Sequence, residues 1–209
     1  MATSNEIKNI FLSASIPLPE RDAKYIETAD VIAIRDAVIA LATTVLPKHR
    51  IIWGGHPSIT PLIYYVMWKL DLNIQEHVTL YQSKLFEKFF PEDNNKFENV
   101  ILTDNIENDR DKSLLHMRER MLGESEFSAA VFIGGMEGIE GDSEKGIEGE
   151  YKMFINRYPD ALIIPLASTG AATKIIFDSL PNDDKAKNER FLKDYGYMSL
   201  FQKYLMEEI

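Results

Sequence analysis

The chain contains no cysteine, and this absence removes several kinds of chemistry at once. Disulfides, cysteine-based zinc sites and thiol nucleophiles are excluded, so the chemistry must use oxygen, nitrogen and backbone groups. The sequence also has no apolar run near the ~18 residues that a membrane span needs. Its opening, MATSNEIKNIF, lacks the basic and apolar regions of a secretion signal. We therefore expect a cytoplasmic protein without a membrane anchor.

Basic residues are in the minority. The 23 Lys and Arg residues face 33 Asp and Glu residues, which gives a net charge of -10. Because affinity for phosphate backbones depends on clustered Lys and Arg, this balance argues against a general binder of duplex nucleic acid. A small anionic ligand is compatible with it, since a pocket can be locally positive on an acidic protein.

Short apolar runs alternate with segments of helical period along the whole chain. At 209 residues and 45% hydrophobic, we expect one domain over residues 1–209. The alternation predicts an α/β fold, a Rossmann-like three-layer sandwich with a mostly parallel central sheet and helices on both faces. Strands are predicted at 7–12, 50–53, 78–81, 99–102, 128–133 and 162–165. Helices are predicted at 28–46, 57–70, 84–90, 109–122, around 150–157, 171–180 and 188–207, with a loop over 91–98.

Three glycine-containing turns follow predicted strands: WGGHPS (53–58), IGGMEG (133–138) and STGAA (168–172). Ligands of open α/β sheets bind beyond the carboxyl ends of the strands, where such turns converge. Each turn alone is equally well a packing turn or a helix cap. Together they favour a nucleotide or sugar phosphate, held by Ser13, Ser15, Gly54, Gly55, His56, Gly134, Gly135, Met136, Glu137, Gly138, Ser168, Thr169 and Gly170.

His56 is alternatively a local hydrogen-bonding residue of its turn. No second histidine lies at metal-ligand spacing from it, so we predict no metal and no cofactor.

Two arginines are candidate phosphate contacts. Arg120 lies in HMRERM (116–121), just before the most strand-like segment, and Arg35 lies in an otherwise apolar helix. The alternative for each is a surface ion pair with a neighbouring acid, Glu124 or Glu119 for Arg120.

Glu148 and Glu150 stand at the start of a predicted helix, where acids are commonly structural because the helix dipole favours them. Alternatively, one of these carboxylates contacts ribose hydroxyls or stabilises an oxocarbenium-like centre during cleavage of an N-glycosidic bond.

The order of these motifs resembles the SLOG superfamily. It groups the LOG phosphoribohydrolases, DprA-type DNA-processing proteins, the N-terminal domains of TRPM channels and the sensors of TIR-linked bacterial defence systems. LOG enzymes carry a Met-His-Glu-Arg-Lys helix, then a Pro-Gly-Gly-x-Gly-Thr turn and a Glu-rich helix start. MRERM (117–121), SAAVFIGG (128–135) and GIEGEY (146–151) stand in the same order here.

This resemblance implies roles for particular residues. It makes Arg120 the functional arginine, Gly134 and Gly135 the phosphate turn, and Glu148 or Glu150 the functional glutamate. FLSASIP (11–17) and GGHPSITPLI (54–63) are most similar to the defence-associated branch, whose members bind NAD-derived or ADP-ribose-type signals. A TIR or effector protein is then the implied partner.

Three functions follow from these patterns. The first is a binding module for a nucleotide or NAD-derived signal. The second is an N-glycosidase of phosphoribohydrolase or deoxyribosyltransferase type, with Glu148, Glu150 and Arg120 as its catalytic candidates. The third is an assembly role, because the end FQKYLMEEI (201–209) packs either on a second copy, giving a homo-oligomer, or within its own chain.

Overall fold

The computed structural model describes residues 6–20, 23–70, 74–90, 92–136 and 145–209. Within these ranges six parallel strands form one sheet in the spatial order β4-β3-β2-β1-β5-β6. The winding of the chain reverses at β1, which pairs with both β2 and β5. The strands are β1 (Asn9–Ser15), β2 (Arg50–Trp53), β3 (Val78–Ser83), β4 (Val100–Thr103), β5 (Ala129–Gly134) and β6 (Leu162–Leu166).

Helices connect these parallel strands, as parallel pairing requires. They are α1 (Ala23–Thr28), α2 (Val31–Val45), α3 (Thr60–Leu70), α4 (Arg110–Gly123), α5 (Gly146–Arg157), α6 (Ala171–Ser179), α7 (Asn182–Lys187), α8 (Arg190–Lys193) and α9 (Tyr197–Phe201). A π-helical segment, Gln202–Glu207, follows α9. Among the described residues, no helix combines the length and apolarity needed to cross a membrane.

Each face of the sheet has its own hydrophobic core, because alternate side chains of a strand point to opposite faces. Ile10 and Leu12 of β1 belong to the core that contains residues of α2, α3 and α9. Phe11, between them, belongs to the core with α4, α5 and α6, where its ring stacks on Phe154 at a centroid distance of 5.4 Å. These two cores confirm the α/β three-layer sandwich, and the sheet is parallel throughout.

The structure differs from the predicted helices in several places. The predicted helix 28–46 is wrong at its start, because Thr28 ends α1 and Asp30 caps α2 by accepting a hydrogen bond from the Ala33 N–H at 2.9 Å. The predicted helix 84–90 and loop 91–98 contain the 3₁₀ turns Lys84–Phe89 and Glu92–Lys96.

The predicted C-terminal helix 188–207 is also wrong, since it is divided into α8, α9 and the π-helical segment. Asp194 interrupts it by accepting hydrogen bonds from the Gly196 N–H at 2.7 Å and from Arg190. The apolar segment 57–70 has no polar stripe, which predicts burial against the sheet. In α3, Ile63 and Val66 belong to the core, whereas Trp68 (62%) and Tyr65 (48%) are exposed.

Candidate functional site

A cavity of about 350 Å³ opens at the carboxyl ends of β1 and β2. Its volume falls within the range of roughly 300–1,000 Å³ that is usual for small-molecule sites. Residues of β1 and of the turn after β2 line it, together with the first turns of α4 and α5. The cavity thus lies where the strand order reverses, the position at which open α/β sheets bind ligands.

The cavity is basic although the chain is acidic. Among the residues that the structure describes, four cations and two carboxylates line it, which leaves two positive charges in excess: Arg110, Lys112, Arg118 and Lys145 against Asp111 and Glu150. Such a wall favours an anionic ligand on a protein whose net charge is -10. Elsewhere in the described ranges, no group of three or more His, Asp or Glu side chains converges as metal ligands would.

At the inner end of the cavity, three residues from three elements meet. The Glu150 carboxylate of α5 accepts a hydrogen bond from Arg118 Nε of α4 at 2.9 Å through one oxygen. Its other oxygen accepts a hydrogen bond from the Ser13 hydroxyl of β1 at 2.5 Å. The Arg118 and Glu150 side chains are only 10% and 17% exposed. These hydrogen bonds hold both side chains in place. Removing one partner would be costly, because it would leave an uncompensated charge in a buried position.

Helical periodicity brings Arg118 to the cavity. Asp111, Leu114, Leu115 and Arg118 follow the i, i+3, i+4, i+7 spacing of one helix face, and all four line the cavity. Asp109 caps α4, because its carboxylate accepts hydrogen bonds from the Asp111 and Lys112 N–H groups at 2.9 and 3.0 Å. This cap fixes where α4 starts and therefore which of its faces meets the cavity.

The start of α5 is held by the segment that follows β5. The Ile147 N–H donates to the Met136 carbonyl oxygen at 3.0 Å, and Met136 and Ile147 both line the cavity. Glu150 lies on the same helix face as Ile147, one turn further along. The cavity wall also includes Ser15, at the end of β1.

The turn after β2 opens to the cavity. Gly54, Gly55 and His56 all line it. Gly55 has a φ of +63°, and the Gln82 side-chain amide donates to its carbonyl oxygen at 3.0 Å. The Ser58 hydroxyl lies 2.8 Å from His56 Nδ1 and accepts the Ile16 N–H at 3.2 Å, which ties this turn to the segment after β1.

The turn after β5 packs internally instead. The Gly134 N–H donates to the Thr169 hydroxyl oxygen at 2.9 Å, and the Gly135 N–H donates to the Ser15 carbonyl oxygen at 2.9 Å. Neither glycine lines the cavity. With both N–H groups used inside the protein, this turn does not present them to a phosphate. Glu137 and Gly138 of the same predicted site lie outside the described residues.

The turn after β6 is also closed. The Ser168 hydroxyl lies 3.1 Å from the Tyr197 hydroxyl, and the Thr169 hydroxyl donates to the Leu166 carbonyl oxygen at 2.6 Å. Gly170 has a φ of +71°, and a Cβ there would lie 2.0 Å from the Thr28 carbonyl oxygen. Ser168, Thr169 and Gly170 are therefore packing residues that lie away from the cavity.

Arg120 does not reach the site that the sequence assigned to it. It is bound to Glu124 at 2.6 Å, the surface pair given above as its alternative. Glu124 also accepts a hydrogen bond from the Tyr81 hydroxyl at 2.9 Å, and burial together with this carboxylate raises the pKa of Tyr81 above its usual range. Arg118, two residues earlier on α4, faces the cavity instead. Two residues correspond to a rotation of about 200° around a helix, so Arg118 and Arg120 point to nearly opposite sides.

The remaining charged candidates separate as well. Arg35 is exposed on α2, whose buried residues belong to the core on the other face of the sheet. Glu148 does not line the cavity, whereas Glu150 does. Sequence reasoning missed Arg118, Asp111 and Lys145. The shared helix face of Asp111 and Arg118 was the signal that could have found two of these three.

Comparison with known proteins identifies the family. The chain matches the SLOG cluster3 family over residues 24–205. No curated protein matches it. A crystal structure of TM1055, Northeast Structural Genomics Consortium target VT76, is similar with a TM-score of 0.52 and 15% identity, over 88% of this chain and 89% of that chain. At this identity the similarity concerns the fold alone. The resemblance to the SLOG superfamily is thus confirmed, and the chain belongs to the SLOG cluster3 family.

Proposed function

We propose that the protein binds a ribose-containing nucleotide, or an NAD-derived ligand of the ADP-ribose type, in this cavity. The observation that carries the proposal is the arrangement of the Glu150 carboxylate. Each of its oxygens accepts one hydrogen bond, from Arg118 or from Ser13. A carboxylate has about four acceptor positions, so one remains on each oxygen. These two positions suit the two neighbouring hydroxyls of a ribose, which acidic residues bind in other α/β nucleotide sites.

The walls of the cavity support a ligand with an apolar ring as well as charged groups. Trp53, Leu115, Met136 and Ile147 supply apolar surface to the cavity wall. The excess of cations is suited to phosphates. A nucleotide combines these three features, a flat base, a diol and an anion, in one small molecule.

The setting that we propose follows from the superfamily. A cytoplasmic sensor in a prokaryotic TIR-linked antiphage system would bind its signal here and act through a TIR or effector partner, as a homo-oligomer. The alternative is an N-glycosidase. One observation favours it, because Glu150 is held rigidly where a carboxylate beside a ribose would stabilise a developing ribosyl cation.

Titration calorimetry with AMP and ADP-ribose tests the binding site. We expect Glu150→Gln to weaken binding about tenfold or more, because a hydrogen bond to a charged group is lost in a buried position. Ser13→Ala, a milder change at the same carboxylate, should weaken binding less. Glu148→Gln is the matched control on the same helix and should change affinity less than about twofold.

Arginine variants provide a second matched pair on α4. Arg118→Met should weaken binding strongly, whereas Arg120→Ala should leave affinity almost unchanged, because its exposed pair with Glu124 lies outside the cavity. Loss of binding in Arg120→Ala with retention in Arg118→Met would contradict the proposed site. Urea unfolding of each variant checks that it is folded.

Chromatography of the same mixtures separates the two functions. An unchanged ligand after incubation supports a sensor, since binding then occurs without turnover. Release of a free base and a ribose phosphate, abolished in Glu150→Gln, would establish the N-glycosidase instead.

A further inference from the structure

Two ion pairs join α4 to α5 along the cavity, and their polarities are opposite. In the inner pair, α4 supplies the cation Arg118 and α5 the anion Glu150, at 2.9 Å. In the outer pair, α4 supplies the anion Asp111 and the residue before α5 supplies the cation Lys145, at 2.7 Å. Arg110 Nη1 approaches the same Asp111 carboxylate at 3.8 Å, so the carboxylate lies between two cations.

The outer pair is much more accessible than the inner pair. The side chains of Lys145 and Asp111 are 27% and 49% exposed, against 10% and 17% for the inner pair. An ion pair in contact with water contributes little net stability, because water and salt screen its attraction. Another anion can therefore replace the Asp111 carboxylate at small cost.

The spacing of the pairs suits one ligand that reaches both. Seven residues separate Asp111 from Arg118, which corresponds to about 10 Å along α4. Five residues separate Lys145 from Glu150, or about 7–8 Å along α5. A ligand with its ribose at the inner pair can therefore reach the more exposed outer pair with a phosphate.

Other phosphate positions are less suitable. The N–H groups of Gly134 and Gly135 are already donated to Thr169 and Ser15. The outer pair, in contrast, brings two cations of the cavity wall, Arg110 and Lys145, to one carboxylate.

We propose that the outer pair is a phosphate subsite in which Asp111 is a displaceable occupant. This inference rests on the proposed function and deepens it by assigning the phosphate of the ligand to the outer pair. A phosphate takes the place of the Asp111 carboxylate between Arg110 and Lys145, and the released carboxylate turns to solvent. The outer contact between α4 and Lys145 is then made through the ligand. In the absence of a phosphate, Asp111 competes for the same cations and so disfavours weakly charged ligands.

The test compares AMP with adenosine by titration calorimetry. Asp111→Asn removes the competing charge at nearly constant shape, so we expect AMP to bind about two- to fivefold more tightly, with adenosine unchanged. Lys145→Gln should weaken AMP binding and leave adenosine binding unchanged. The matched control is Asp104→Asn, which makes the same change in net charge at an exposed carboxylate paired with Lys84 and absent from the cavity wall.

The outcomes separate this inference from the proposed function. If Asp111→Asn binds AMP no more tightly than Asp104→Asn, while Glu150→Gln abolishes binding, the outer pair is only a structural clamp and the phosphate subsite is refuted. If the unmutated protein binds neither AMP nor ADP-ribose, the proposed function falls and the subsite falls with it. Tighter AMP binding in Asp111→Asn, with urea unfolding that shows an intact fold, supports the displacement.

Discussion

The turns after β2 and β5 lie at the same edge of the same sheet, and both contain a glycine pair. The turn after β2 lines the cavity through Gly54 and Gly55. The turn after β5 donates both of its glycine N–H groups to other parts of the protein. The difference shows that glycines after a strand do not by themselves make a ligand cradle.

The turn after β6 belongs with the closed turn. Thr169 connects the two, because its hydroxyl accepts the Gly134 N–H and donates to the Leu166 carbonyl oxygen. Its own carbonyl oxygen accepts the Asp30 N–H at 3.1 Å, at the start of α2. The closed turns thus form one packed network, and substitutions in it should affect stability much more than substitutions in the open turn.

The largest effect is expected for Gly170→Ala. The added Cβ meets the Thr28 carbonyl oxygen at 2.0 Å, and the φ of +71° disfavours any side chain. We expect a loss of more than about 3 kcal/mol in the free energy of unfolding, measured with urea. Gly123→Ala is the control, since its nearest contact is the end of the Arg157 side chain at 3.8 Å. Equal stability of the two variants would contradict the rigid packing of this turn.

A smaller effect is expected for Thr169→Val, which keeps the shape of the side chain and removes its hydroxyl. The buried Gly134 N–H and Leu166 carbonyl group then lose a partner, which costs roughly 1–3 kcal/mol. Ser58→Ala in the open turn should cost less than about 1 kcal/mol, because water reaches the half-buried Ile16 N–H. Thermal unfolding compares them, and a larger loss in Ser58→Ala would reverse the assignment of open and closed turns.

A further effect of the closed turns appears in alkaline solution. Burial raises the pKa of Tyr197, beside Ser168, to about 12. The folded pKa exceeds the unfolded value, so the stability contribution is complete below about pH 10 and is lost between pH 10 and 12. Near the upper end this loss amounts to about 1–2 kcal/mol. Unfolding midpoints from pH 8 to 11.5 should fall less steeply for Tyr197→Phe, and parallel curves would show that Tyr197 is not the group responsible.

Much of the fold could be predicted from the sequence, because the strands are short apolar runs and the central ones, such as β5, are buried on both faces. Residues 50–53 coincide with β2, and the other strands match within a few residues. The C-terminal region could not be predicted in the same way. Its helical period hides the interruption at Asp194, which depends on a side-chain hydrogen bond to Gly196.

The site was only partly predictable. Of the residues predicted to bind the ligand, the following line the cavity: Ser13, Ser15, Gly54, Gly55, His56, Met136 and Glu150. The motif in the sequence indicates Arg120. The cap at Asp109, however, determines which side of α4 faces the cavity, and Arg118 is the arginine that reaches Glu150. The closed turns were not separable from the open one, since a sequence does not show where a backbone N–H is donated.

The contact between Ile147 and Gly135 has a consequence for the number of residues that related chains can carry between β5 and α5. A Cβ at Gly135 would lie 2.8 Å from Ile147 Cδ1, so α5 docks through Ile147 directly on the glycine. The rotation of α5 is set at that point and not by the number of residues between β5 and Lys145. Insertions before Lys145 should leave Glu150 in place during evolution, whereas one residue gained between Ile147 and Glu150 would turn the carboxylate about 100° away.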